Sequence, residues 1–96
     1  MSWRFSKICS TLERKGFTRT DTDHAYFRLV LDDGRFTGIT TKVSHGRGEI
    51  ERNGYLFNQM RRQLKLSANH LADLFSCPMT AEAYVAQLRK DGAIQD

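Results

Sequence analysis

"TDTDHAYFRLVLDDGRF", residues 20 to 36, is the stretch on which the fold turns. From His24 to Leu31 the side chains alternate in character, and in a strand successive side chains leave by opposite faces. Ala25, Phe27, Leu29 and Leu31 make one face; His24, Tyr26, Arg28 and Val30 make the other. With the first set turned to the core, the histidine shares its surface with a phenol and a guanidinium, a set that packing alone does not select. "DDGR" at 32–35 is a hairpin signal in which Gly34 supplies a positive φ, and Phe36 to Val43 returns as the next strand with Ile39 and Val43 inward. Upstream, Phe17 to Asp23 is rich in Thr without helical periodicity and reads as a short strand. The expectation is a three-stranded antiparallel meander.

Helical periodicity flanks it. Phe5, Ile8, Cys9 and Leu12 recur at helical spacing, and the segment closes on "ERK" with Gly16 just beyond, so a first helix runs from about Ser6, or somewhat earlier, to Lys15. "SHGRGE" at 44–49 breaks the strand pattern and leads to Asn53 as the N-cap of a second helix with the apolar stripe Leu56, Phe57, Met60 and Leu64. A Ser cap then precedes Leu71, Leu74 and Phe75, and after "SCPM" a Thr-capped helix carries Tyr84, Val85 and Leu88 before Gly92 ends it. The fold class expected is α+β: an α-β-β-β-α order with helices on one face of the sheet, plus a C-terminal helical extension. Residues 1–66 make the main domain, with 67–96 packed on or beside it as one compact unit.

At 96 residues, the chain is long enough for one modest core. Its charge is unevenly placed: residues 1–65 hold thirteen basic and seven acidic side chains, residues 66–96 two and four. A cationic first two-thirds favours polyanionic partners such as RNA or DNA. Cys9 and Cys77 are far apart and outside any CxxC spacing, which indicates neither a zinc site nor a disulfide framework and fits a reduced, cytoplasmic setting. No apolar run approaches transmembrane length, and the charged N-terminus does not read as a secretory signal, so no membrane partner is expected.

Three motifs in order resemble the HicA (YcfA-like) family of type II toxin-antitoxin systems. "SKICSTLERKGF" looks like its opening helix ending in a basic run and Gly-Phe. "TDHAYFRL" falls where the family has Gly-Ser-His followed by an aromatic and a basic residue. "VSHGRGEIERNGYLFNQMRRQLKLS" looks like its Val-Pro-His stretch, basic loop and closing helix. The likeness covers roughly residues 6–67. Thr22, Asp23, Ala25 and Ser44 depart from the family pattern. The resemblance implies a double-stranded-RNA-binding-domain-like fold, cleavage of mRNA by a toxin working through one histidine, which by position is His24, and neutralisation by a HicB-like antitoxin that covers it.

RNA cleavage without a metal needs a group to take the 2′-hydroxyl proton, a group to protonate the leaving 5′-oxygen, and positive charge at the phosphorane. A histidine suits the first task near neutral pH. On the same outward surface Arg28 and Lys42 can hold the phosphate and Tyr26 can stack on a base, whereas a regular strand carries Asp23 to the opposite face, where only a bulge would bring it to His24. His45, Arg47, Arg52, Arg61, Arg62 and Lys65 complete the expected RNA-binding set. None of His24, His45 and His70 has metal-ligand spacing with another, so neither a metal nor a cofactor is expected. Two other readings compete: a non-catalytic RNA-binding module of the same fold, and a helix-turn-helix DNA reader in residues 67–90. The second is disfavoured because its last helix opens on Ala81, Glu82 and Ala83 and the segment is net negative. The apolar residues of the C-terminal helices are also compatible with a homodimer.

Overall fold

The computed structural model describes residues 1–76 and 78–94; Cys77 and residues 95 and 96 lie outside them. The elements run β1 (Ser2–Arg4), α1 (Phe5–Arg14), β2 (Phe17–Asp21), β3 (His24–Val30), β4 (Phe36–Ser44), β5 (Glu49–Glu51), α2 (Tyr55–Gln63), α3 (Ala68–Ser76) and α4 (Ala81–Lys90). The fold is α+β, with β2, β3 and β4 forming an antiparallel sheet in chain order and a helical part at the C-terminus. The α-β-β-β-α succession expected from the sequence is present.

The alternation in β3 works as the spacing predicts. Ala25, Phe27, Leu29 and Leu31 are buried, together with Ile39, Thr41 and Val43 of β4, and α1 and α2 lie on this face. Thr41 reaches across to α2, donating its hydroxyl to Gln63 Oε1 at 2.6 Å. Pairing sets His24 opposite Ser44, Tyr26 opposite Lys42 and Arg28 opposite Thr40; the register then slips, so that Val30 meets Phe36. The slip is a β-bulge in β4, where Gly38 takes φ +83°. At the 32–35 turn, Gly34 has φ +85° and Asp33 accepts from the Arg35 amide and guanidinium.

Two short strands were not expected. Ser2–Arg4 pairs antiparallel with Glu49–Glu51, Trp3 opposite Ile50, and both of these side chains are buried between exposed neighbours. Trp3 stacks on Phe57 of α2 (ring centroids 5.8 Å apart), meets Phe75 of α3 edge-on (5.3 Å) and donates its indole N–H to the Ser76 hydroxyl. The break read at 44–49 thus begins on the last residue of β4 and ends on the first of β5, and the ribbon ties the N-terminus to two helices.

The second helix also starts differently. Its N-cap is Gly54, without a side-chain cap, and Asn53 sits one residue earlier at φ +66° with its carbonyl accepting from the Asn58 side chain. Asn tolerates the left-handed region, so here it turns the chain instead of capping it. β2 stops at Asp21, which leaves Thr22 and Asp23 as the turn into β3. The other caps match expectation: Ser67 and Thr80 side chains accept from the amides of His70 and Ala83, and Gly16 (φ +99°) follows the end of α1.

The C-terminal helices share the core of the sheet half. Phe17 of β2 stacks on Tyr84 of α4 (5.9 Å), and the buried Tyr84 hydroxyl donates to the Leu64 carbonyl at 2.9 Å. No described helix is long and apolar enough to cross a membrane.

Candidate nucleic-acid interface

The face of the meander turned away from α1 and α2 carries His24, Tyr26 and Arg28 from β3 and Lys42 from β4, because each lies one residue out of phase with the buried set. His24 and Tyr26 are half-buried, their rings edge to face with centroids 6.1 Å apart; Arg28 and Lys42 are exposed. These four expected site residues are therefore gathered on one surface.

Asp23 joins them, contrary to the regular-strand expectation. Placed in the turn ahead of β3, its carboxylate accepts from the Thr22 hydroxyl (3.0 Å), the Tyr26 phenol (3.1 Å) and His24 Nδ1 (3.2 Å). The Thr22, His24 and Tyr26 hydrogen bonds hold its pKa down to about 2 from 3.8, while the same contact raises that of the Tyr26 phenol. An ionised carboxylate can only accept, so the proton of a neutral His24 ring belongs on Nδ1. Nε2 then carries the lone pair. The geometry has produced a base with a fixed tautomer from a dipeptide, Asp23-His24, whose turn position alternation could not reveal.

His45 serves this turn. Its Nε2 lies 3.1 Å from the Thr22 carbonyl, an acceptor, so the ring donates there and clasps the end of β4 to the β2–β3 turn. His24 also lines a cleft of about 110 Å³ where the edge of β4 meets α2, together with Lys42, Gln63, Phe5, Ile50 and Met60.

The remaining expected cations are dispersed over loops and α2, outside the sheet. Arg47 lies in the β4–β5 loop beside Arg4 and Ser6. Arg52 donates to Asn69 Oδ1 at 2.6 Å and Arg61 to Asn58 Oδ1 at 3.2 Å. Arg62 is exposed on α2, and Lys65 just beyond it has φ +61°. None of them is part of the β2–β3–β4 sheet. His70, on α3, contributes its backbone N–H to the Ser67 cap.

Phe36 is the residue that sequence reasoning left out. It is 61 % exposed, and the Arg28 guanidinium carbon stands 5.6 Å from its ring centroid on the outer face. The signal was available in the alternation of β4, but the meeting with Arg28 depends on the bulge. In comparisons with known proteins, no family model, curated protein or solved structure matches the chain.

Proposed function

We propose that this chain is a HicA-like, metal-independent endoribonuclease that binds mRNA and cleaves it through His24, and that a HicB-like antitoxin neutralises it by covering that histidine in the bacterial cytoplasm. The observation that supports the reading is the contact between Asp23 and His24 Nδ1, which frees Nε2 to act as a base on a surface shared with Arg28 and Lys42. In the reaction Nε2 takes the 2′-hydroxyl proton, the 2′-oxygen attacks phosphorus and the P–O5′ bond breaks. The imidazolium returns its proton to the 5′-oxygen, directly or through water, and a 2′,3′-cyclic phosphate remains. Arg28 and Lys42 offset the negative charge that builds on the phosphorane.

The deciding experiment is induced expression in a bacterium of wild type beside His24→Ala, with total RNA inspected for cleavage. A positioned base is worth about 10²–10⁴ in rate, so the variant should lose growth arrest and RNA degradation while still binding RNA. Equal RNA profiles in the two strains would reduce the protein to a passive RNA-binding module.

A further inference from the structure

We propose that the outer face of the β2–β3–β4 sheet is a platform for single-stranded RNA, on which Phe36 and Tyr26 stack bases while Arg28 and Lys42 hold the adjoining phosphates. The nuclease reading above is needed only for the fate of the strand at the His24 end.

Register lays out the surface in order along β3: Phe36 beside Val30, then Arg28, then Tyr26 beside Lys42, then His24. Between Phe36 and His24 this face presents two cations, with threonines filling the intervening positions of β2 and β4; its one carboxylate, Asp23, sits at the His24 end and is engaged by Thr22, His24 and Tyr26. A polyanion is the occupant that such charge fits. Six residues of strand span about 20 Å, the scale of sheets on which two or three unpaired bases stack.

The bulge supplies the independent argument. Two extra residues in β4 around Gly38 keep Phe36 on the outer face while setting it opposite Val30 and within reach of the Arg28 guanidinium, where its large aromatic ring stands exposed. Bulges commonly re-aim a side chain next to a functional surface. Guanidinium and aromatic ring are the two groups on which unpaired bases stack, and a duplex, whose bases are already stacked on each other, cannot use them.

The test is binding of the full chain to a fluorescent 2′-O-methyl octanucleotide, which lacks the nucleophile and so is not cut, and to a duplex of the same length. The single strand should bind more tightly than the duplex, and Phe36→Ala should weaken it about tenfold or more while Phe36→Trp restores it. Circular dichroism of both variants should match wild type because the ring is exposed. Undiminished binding by Phe36→Ala, or preference for the duplex, overturns the platform and leaves His24-dependent cleavage standing; absence of any RNA binding by wild type overturns both.

Discussion

Asp23 and His24 are neighbours in sequence that cooperate because one is in a turn and the other opens a strand. Three donors converge on the carboxylate, so it stays ionised well into acid, and its depressed pKa adds stability above the unfolded carboxylate range near 3.8 that is lost as pH falls through about 2. A carbon-detected NMR titration should find the Asp23 carboxyl midpoint near 2, moving up toward 3.8 when Tyr26→Phe and Thr22→Val remove two of its donors. Asp23→Asn exchanges an obligate acceptor for an amide that can also donate, which releases the tautomer of His24. We expect its cleavage rate to fall on the order of ten- to a hundredfold with RNA affinity within about twofold of wild type, the split that separates positioning from binding.

Where helices end, two solutions to the same problem can be compared. After α4, Gly92 (φ +71°) turns the chain so that Ala93 N–H reaches the Leu88 carbonyl; after α2, Lys65 (φ +61°) does the same for Leu66 N–H and the Arg61 carbonyl. A lysine in that conformation is strained by about 1 kcal/mol relative to glycine. Lys65→Gly should therefore raise the melting temperature by about 4–8 °C, and its loss of charge should reduce the salt slope of RNA binding by about 0.7 only if Lys65 touches phosphate. Gly48 is the converse case. A Cβ there would lie 2.5 Å from the Phe5 ring, so Gly48→Ala should cost about 1–3 kcal/mol in chemical denaturation by loosening the β1–β5 ribbon. The meander and the caps at Ser67 and Thr80 were legible because period-two alternation and capping side chains are local signals. The ribbon was not: three-residue strands bury one side chain each, Trp3 and Ile50, which is too short a sample to show a period. Neither was the Asp23 contact or the meeting of Arg28 with Phe36, since each depends on where a strand starts or slips register, and single-strand patterning leaves that undetermined.

Across the whole molecule, one apolar core runs from Trp3 through the sheet to Leu88 and Ile94. Trp3 is the single tryptophan, and it touches α2 and α3 at once, so its emission reports on the joint between the sheet half and the helical tail. Tryptophan fluorescence and far-ultraviolet circular dichroism should give one coincident transition in urea; an earlier loss of ellipticity would mean that the tail melts alone. A second tie crosses the same joint. Lys15, at the end of α1, is 8 % exposed and its ammonium donates to the Met79 carbonyl, in the link between α3 and α4, at 2.6 Å. That amine is consumed internally, so acylating reagents that label surface lysines should pass it over in the native protein and find it once the chain is denatured, making one nitrogen atom a chemical record of whether the two halves are still joined.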